Sequence, residues 1–354
     1  MVNMKISLLK LTYRSVEIVS FFNSKKVLFF APSFFGYEQK IKDELVSMGA
    51  HVHYYDERPS NTFFSKLIIR LGIRRLIKKR IDNYYDKIIY DTKNCNFDYL
   101  FLVNPETIDI EKISGIKKHH PRIIVLTYMW DSIKNKKGSL SLLPLSDKFF
   151  TFDSEDCLID SKIRFLPLFY SRDYEELANN NEEFSYDLAF VGSLHSDRYS
   201  MVKSLSKEKL SVFSYFYSPS RVLFFFQKMF LSNFRCVSRR EVSFNSISTS
   251  EIVSIISRSR IVIDIEHPSQ KGLTMRTLEV LGARKKLVTT NGNVKKYDFY
   301  DSANIHVVDR SSPSLCVEFL EQEYKDLDPE IYNKYSLRSW LFNIFGDVSR
   351  SEGC

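Results

Sequence analysis

Glycine, proline and cysteine are scarce in this chain of 354 residues, with 11, 10 and 5 copies respectively. So little glycine and proline excludes collagen-like and low-complexity architectures. The cysteines are scattered and odd in number, with no C-x-x-C pair and no histidine at zinc-binding spacing. This pattern favours incidental thiols in a reduced compartment over a disulfide framework or a zinc site. Hydrophobic residues make up 44% of the chain, which is enough for sizeable cores and argues against global disorder.

Long apolar runs are also missing. No stretch approaches the roughly 20 residues that a membrane-spanning helix needs, and the densest cluster, at 222–231, is interrupted by a glutamine and a lysine. The first residues do not resemble a signal peptide, because Lys10, Arg14 and Glu17 interrupt the apolar stretch. We therefore expect a cytoplasmic protein, in contact at most with the inner face of the cell membrane. Residues 1–24 form an amino-terminal extension to which we assign no function.

The formal net charge is +8, which favours an anionic partner such as a nucleotide, a nucleic acid or a membrane surface. Basic residues concentrate between Lys66 and Arg80, among apolar residues at helical spacing. This segment predicts either a peripheral contact with an anionic membrane or the solvated face of a core helix. We expect no nucleic acid partner, because the basic residues do not belong to a recognisable nucleic-acid module.

Apolar runs and helical patterns alternate through the first half of the chain, as in β-α-β proteins. A strand from Lys26, a loop with Gly36, a helix at 37–48 and a strand at 51–56 open a domain assigned to 25–172. Gly36 either lets an acceptor approach the loop closely or only eases the turn from strand to helix. Further strands are predicted at 99–103, 122–127, 148–152 and 163–168, and helices at 62–90 and 110–118.

An aromatic residue and an acid follow the predicted strand at 122–127. Ligands of open α/β sheets bind beyond the carboxyl ends of the strands. Asp131 is therefore a candidate general base for a hydroxyl group, and Trp130 a candidate surface for a sugar ring. The alternative is that Asp131 caps the next turn.

A polar, acidic stretch at 173–185 predicts a linker, and a second domain is assigned to 186–328. It opens with a strand at 186–191 that leads through Gly192-Ser193 to Arg198. Such a loop can bind phosphate with backbone N–H groups and a helix dipole; the alternative is an ordinary helix entry with Ser193 or Ser196 as the N-cap. Further strands are predicted at 210–215, 241–244, 260–265, 285–290 and 304–308, and helices at 220–231, 252–257, 273–281, 314–323 and 329–345.

The stretch at 259–291 has the clearest pattern: a strand, a polar loop with Lys271-Gly272, a helix and a second strand. Arg276 and Glu279 are three residues apart on the helix and share one face. Arg276 can reach a phosphate, and Glu279 can accept hydrogen bonds from ribose hydroxyls; the alternative is a surface ion pair on an ordinary amphipathic helix. Gly282 is expected as the C-cap. Two phosphate-binding loops in one domain can converge on one diphosphate.

This unit resembles the donor-binding unit of GT-B glycosyltransferases, especially the bacterial group that builds capsular, exopolysaccharide and lipopolysaccharide chains. The resemblance is carried by Pro268-Ser269, Gly272, Glu279 and Thr289-Thr290-Asn291. It implies that Glu279 holds the donor ribose and that the loop holds the diphosphate. Many retaining members have a second glutamate eight positions before the ribose-binding one. Here that position is Lys271, which leaves the stereochemistry of transfer open.

The resemblance implies an α/β GT-B fold, with two Rossmann-like parallel-sheet domains facing each other across a cleft. The C-terminal segment, 329–354, would return to the amino-terminal domain. The implied enzyme transfers a sugar from a nucleotide-diphosphate-sugar to a saccharide acceptor, lipid-linked, in bacterial surface polysaccharide synthesis. The donor-binding candidates are Gly192, Ser193, Arg198, Lys271, Gly272, Arg276, Glu279 and Asn291, and the acceptor-side candidates are Gly36 and Trp130.

No cofactor and no metal are expected, because protein cations and helix dipoles can stabilise a leaving diphosphate. The closest approach to a D-x-D metal motif is Asp264-Ile265-Glu266, at the end of a buried strand. Two other functions stay open. A sugar-nucleotide epimerase on the same fold would need no acceptor, and a non-enzymatic basic protein would bind a membrane or a nucleic acid.

Overall fold

The computed structural model of the chain describes residues 22–59, 77–179, 183–206, 210–268 and 271–346. The chain forms two compact units. The first contains the chain up to Leu166 and the segment from Trp340 onwards, and the second runs from Pro167 to Ser339. Within the described ranges, every helix is too short or too polar to cross a bilayer.

The first unit contains a parallel sheet with the strand order β2-β1-β3-β4-β5-β6 among its described residues. The strand order reverses between β1 and β3, and in open α/β sheets the loops at such a point form the ligand crevice. The strands are β1 (Lys26–Ala31), β2 (His51–Asp56), β3 (Tyr99–Val103), β4 (Ile124–Met129), β5 (Lys148–Thr151) and β6 (Ile163–Phe165). The helices are α1 (Tyr37–Ser47), α2 (Lys78–Thr92) and α3 (Ile110–His119).

The second unit also contains a parallel sheet, with the order β12-β11-β10-β7-β8-β9 in the part that the structure describes. Its reversal point lies between β7 and β10, as in a Rossmann sheet. The strands are β7 (Tyr186–Ser193), β8 (Val212–Tyr217), β9 (Val242–Ser243), β10 (Ser259–Asp264), β11 (Lys286–Thr289) and β12 (Ile305–Val307). The helices are α4 (Arg172–Glu175), α5 (Arg198–Leu205), α6 (Arg221–Phe230), α7 (Thr249–Ser257), α8 (Met275–Gly282), α9 (Val317–Glu321) and α10 (Pro329–Lys334).

The central strands are buried along most of their length because both faces of each sheet are covered. All five residues of β3 are buried, and so are five of the six residues of β10. Parallel sheets need such cover, since helices pack on both of their faces. The expected α/β class with two Rossmann-like parallel sheets is confirmed.

The helix expected at 329–345 is two helices, α10 and α11 (Leu337–Phe345). Tyr170 causes the break, because its N–H donates to the Tyr335 carbonyl at 2.9 Å and its carbonyl accepts from the Leu337 N–H at 2.8 Å. From Trp340 onwards the chain belongs to the first unit, which confirms the predicted return. There the Phe345 ring lies 5.2 Å from that of Phe101.

Gly282 is not the C-cap that its position suggested. The helix α8 is followed by Ala283 in a right-handed conformation, and the left-handed residue is Arg284, with φ 49°. Glycine at 282 is explained by packing, because an added Cβ would lie 2.6 Å from the Cβ and Cγ atoms of Tyr170. The Tyr332 hydroxyl also donates to the Gly282 carbonyl at 2.6 Å.

The predicted linker, amino-terminal extension and basic segment can be compared with the structure only in part. Residues 172–179, most of which fall in the expected linker, form α4 and a short 3-10 helix within the second unit. The amino-terminal extension lies outside the described residues except for its last three positions. The basic segment at 66–80 is described only from Ile77, where α2 is about to begin.

Replacing Gly282 with alanine is expected to destabilise the second unit by about 1–3 kcal/mol, because the new methyl group overpacks against Tyr170. Gly292→Ala is the matched control, since an added Cβ there meets no atom within 4 Å. The midpoint of thermal unfolding, followed by circular dichroism, should fall for the first variant and stay close to wild type for the second. Equal midpoints would contradict this packing role.

Candidate functional site

The loops after β7 and β10 meet at the carboxyl edge of the second sheet, as the sequence analysis expected. The Nε of Arg198 donates to the Ile265 carbonyl at 2.7 Å. The ring centroids of His195 and His267 are 5.6 Å apart. Burial and the charge of Arg198 lower the pKa of His195 to about 4, so this imidazole is neutral at pH 7. The two candidate phosphate-binding loops therefore form one surface.

Arg198 is held firmly in this surface. Its Nη1 donates to the Ser193 carbonyl at 3.1 Å, and its guanidinium lies 5.9 Å from the Phe190 ring centroid. Gly192 makes room for both groups, because an added Cβ would lie 2.9 Å from Phe190 and 3.1 Å from Arg198. No described residue accepts a hydrogen bond from the Nη2 group, which leaves that donor for a ligand.

Neither serine proposed as an N-cap acts as one. The N-cap of α5 is Asp197, and its side chain makes no capping hydrogen bond. Ser196 instead adopts a left-handed conformation, with φ 47°, and its hydroxyl lies 2.9 Å from His195 Nδ1. The structure therefore contradicts the serine caps of the helix-entry alternative, while phosphate binding by this loop stays a prediction.

Arg310 joins the same two loops from the end of β12, and sequence reasoning missed it. Its Nη1 donates to both oxygens of Asp197, at 2.7 and 2.8 Å. Its Nη2 donates to the Glu266 carboxylate at 2.8 Å and to the Glu266 carbonyl at 2.6 Å. The position of Arg310 after a predicted strand was the available signal, since the same rule had selected Asp131.

The acids of the D-x-D-like segment are occupied by hydroxyl donors. Asp264 accepts from Thr274 at 2.5 Å and from Thr277 at 2.7 Å, and so tethers the first turn of α8 to the end of β10. Glu266 accepts from Thr290 at 2.5 Å. Both carboxylates thus brace the loops around them.

Arg276 and Glu279 form the predicted pair, with 2.7 Å between Arg276 Nη1 and Glu279 Oε2. Glu279 is buried and Arg276 is partly buried, with side chains 7% and 16% exposed, so the pair does not lie on the surface as the alternative expected. Burial raises the pKa of the Tyr174 hydroxyl on α4, and the charge of Arg276 opposes that rise. Burial raises the pKa of Glu279 to about 8, and the adjacent guanidinium opposes that rise.

Asn291 positions the loop that precedes α8. Its Nδ2 donates to the carbonyls of Lys271 and Gly272, at 3.3 and 3.2 Å. Asn293 donates to the Lys271 carbonyl as well, at 3.1 Å. The Lys271 side chain is exposed, and no described residue accepts a hydrogen bond from its ammonium group. Lys271 is therefore available to an anion at this edge.

In the first unit, Asp131 lies just beyond the carboxyl end of β4, and its side chain is 48% exposed. Its Oδ2 accepts from Asn104 Nδ2 at 3.1 Å and lies 3.8 Å from Lys136 Nζ. The next turn is capped by another acid, because the Ile133 N–H donates to Asp156 at 3.1 Å. The capping alternative for Asp131 is therefore wrong, and its role as a base stays a prediction.

Aromatic rings lie beside Asp131 on this edge. The Trp130 ring is 5.8 Å from that of Phe34, and Phe34 and Phe35 are 45% and 57% exposed. Gly36 is the N-cap of α1, with φ 76°, and an added Cβ there would meet no atom within 4 Å. The geometry of Gly36 fits the turn that it makes, and close approach of an acceptor there stays a prediction.

A second missed residue, Glu57, anchors the loop after β3. Its Oε1 accepts from the N–H groups of Glu106, Thr107 and Ile108, at 2.7 and 3.0 Å for the first and third. Its Oε2 is buried and has no hydrogen-bond partner among the described residues. Burial raises the pKa of Glu57 to about 7. The acid after a predicted strand was again the available signal.

The Glu57→Gln variant should change how stability depends on pH. The folded pKa of Glu57 is about 7, above the usual value, so its stabilising contribution is complete below about pH 4.5 and is lost as the pH rises through 7. Glutamine keeps the acceptor without the charge. As the pH rises from 4.5 to 8, we expect the free energy of unfolding of the variant to increase relative to that of wild type by about 1–3 kcal/mol.

Urea denaturation across this pH range measures the difference. The exposed Glu111 provides the control, because Glu111→Gln should leave the profile of wild type unchanged. Parallel pH profiles for Glu57→Gln and wild type would refute the assignment.

Removing Arg310 should loosen the second unit. Arg310→Ala leaves the buried Glu266 without its guanidinium partner, and breaking such a pair costs about 3 kcal/mol. Arg172→Ala breaks an exposed pair with Glu176 and should cost less than about 1 kcal/mol. Thermal unfolding compares the two variants, and similar small shifts would show that the bridge does not stabilise the loops.

No family model matches the chain, and no curated protein matches it significantly. Solved structures do match. A glycosyltransferase from Rickettsia africae has 15% identity and a TM-score of 0.52, with 91% of this chain and 94% of that chain covered. A UDP-GlcNAc 2-epimerase from Methanocaldococcus jannaschii, solved with UDP-GlcNAc and UDP, has 10% identity and a TM-score of 0.50, covering 91% and 99%.

The trehalose-6-phosphate phosphatase N-terminal domain from Candida albicans has 10% identity and a TM-score of 0.52, with 92% and 90% of the two chains covered. At these identities the likeness concerns the fold alone. Together with the two parallel sheets, it shows that this chain has the two-domain, Rossmann-like GT-B fold.

Proposed function

We propose that this protein is a glycosyltransferase that uses a nucleoside-diphosphate-sugar donor. The observation that carries the proposal is the junction of two candidate phosphate-binding loops at the reversal point of the second sheet, where Arg198 bonds the Ile265 carbonyl. A solved glycosyltransferase and a solved enzyme that binds UDP-GlcNAc have the same fold. We further propose that the acceptor is a lipid-linked saccharide in bacterial surface polysaccharide synthesis, as the sequence resemblance implies.

The donor diphosphate would lie against this junction. The exposed Lys271 and the unengaged Nη2 of Arg198 supply positive charge, and the amino-terminal ends of α5 and α8 add dipoles of the same sign. Glu279 would accept hydrogen bonds from the ribose hydroxyls, and its partner Arg276 keeps that carboxylate oriented. Negative charge develops on the diphosphate as its bond to the sugar breaks, and fixed positive groups stabilise it. Metal independence is part of this proposal.

The acceptor hydroxyl would lose its proton to Asp131. The carboxylate is half exposed, so it is open to a ligand, and the Asn104 amide orients one of its oxygens. Trp130, Phe34 and Phe35 give the same edge an aromatic surface, on which the apolar face of a sugar ring can pack. A positioned general base contributes about 10²–10⁴-fold to the rate of such a transfer.

Substitutions at Glu279 should weaken donor binding, whereas a substitution at Asp131 should reduce turnover and leave donor binding intact. Uridine, guanosine, adenosine and cytidine diphosphates are added with EDTA, and one of them should raise the melting temperature, because a ligand of the folded state stabilises it. Glu279→Ala and the milder Glu279→Gln should weaken that shift. Asp131→Ala should keep the shift and lose turnover by about 10²-fold or more.

Circular dichroism confirms that each variant is folded. A full melting shift in both folded Glu279 variants would exclude the ribose role, and no shift with any nucleotide would count against the proposed function. Incubation of the donor sugar without acceptor tests the epimerase alternative, which predicts an isomeric nucleotide sugar and no free nucleoside diphosphate.

A further inference from the structure

The helix α6 is apolar and almost entirely unburied. Phe224 alone among its large apolar side chains is buried in the described core, at 4% exposure. The phenylalanines at 225 and 230 are 63% and 70% exposed. The exposed apolar side chains of α6 are Val222, Leu223, Phe225, Phe226, Met229 and Phe230. Contiguous apolar surface of this kind marks an interaction site or a membrane contact.

The segment that contains α6 is predominantly basic, and the next acid along the chain, Glu241, pairs with Lys203. Residues 218–240 contain five basic residues, Arg221, Lys228, Arg235, Arg239 and Arg240, and no acidic one. All four arginines are exposed. The guanidinium groups of Arg221 and Arg239 lie 5.6 and 5.7 Å from the Phe244 ring, which in turn contacts Phe224 at 5.9 Å. Arginines are thus held close to the helix.

We propose that α6 and these arginines form a docking surface for an anionic lipid bilayer. The helix has 10 residues, too few to span a membrane, so it would lie in the plane of the interface with its exposed phenylalanines among the upper acyl chains. The arginines would contact lipid phosphates. A symmetric contact between two copies is disfavoured because it would bring the same positive groups together.

This surface differs from the basic segment at 66–80, and it requires neither a nucleotide nor a sugar. Vesicle binding therefore tests it independently of the proposed function. The full-length protein is sedimented with vesicles of phosphatidylcholine alone or mixed with phosphatidylglycerol, at low and high salt. We expect binding to the anionic vesicles and weaker binding at high salt.

The double variant Phe225→Ser/Phe230→Ser should bind anionic vesicles at least about tenfold more weakly, because two rings that would enter the bilayer are lost. Arg239→Glu/Arg240→Glu should weaken binding and remove most of its salt dependence. The matched control is Leu158→Ser/Val317→Ser, which removes apolar side chains that are 88% and 60% exposed elsewhere, and it should bind like wild type.

Three results would overturn the proposal: no binding of wild type to anionic vesicles, equal binding of wild type and the phenylalanine variant, or a lipid-free dimer that the phenylalanine variant dissociates. Light scattering after gel filtration measures the last of these. An unchanged nucleotide-induced melting shift in the variants would show that their loss of vesicle binding does not arise at the donor-binding edge.

Discussion

A partly buried guanidinium holds the candidate donor edge together. Arg310 bonds Asp197 from one loop and Glu266 from another, and Glu266 is almost fully buried. A buried carboxylate is costly unless it is paired and hydrogen-bonded. Moving either loop away would therefore break the bridge and raise the free energy of the folded state. Arg198 directly follows the first loop, and Glu266 lies in the loop before α8, so the bridge keeps these two segments together.

In the first unit a buried carboxylate also fixes a loop, but it does so by accepting hydrogen bonds from backbone N–H groups. Glu57 holds the loop after β3 through three backbone N–H groups, and that loop carries Asn104 and Glu106. Asn104 reaches Asp131, and Glu106 pairs with Arg58 at 2.9 Å. In both units the parallel sheet brings several strand ends to one edge, and a buried carboxylate then fixes how the loops lie against one another there.

In the second unit a charged pair is largely buried, whereas an apolar helix is exposed. The Arg276–Glu279 pair, which looks like a surface feature on a helical wheel, is enclosed. The helix α6, which contains most of the densest apolar cluster of the sequence, is exposed on nearly all sides. The Arg276–Glu279 pair therefore keeps a fixed geometry away from solvent. The helix α6 instead leaves an apolar surface for the proposed partner outside the chain.

Local patterns in the sequence determined the strands, most helices and the fold class, because the hydrophobic period follows backbone geometry directly. They also identified the Arg276–Glu279 pair, since helical spacing alone brings those residues together. Tertiary structure decided the rest. Gly282 is small because Tyr170, 112 positions earlier, packs against it, and the last helix is broken by the same residue. The bridge of Arg310 joins positions 44 and 113 residues away, and no local pattern records a contact whose partners meet only when the sheet forms.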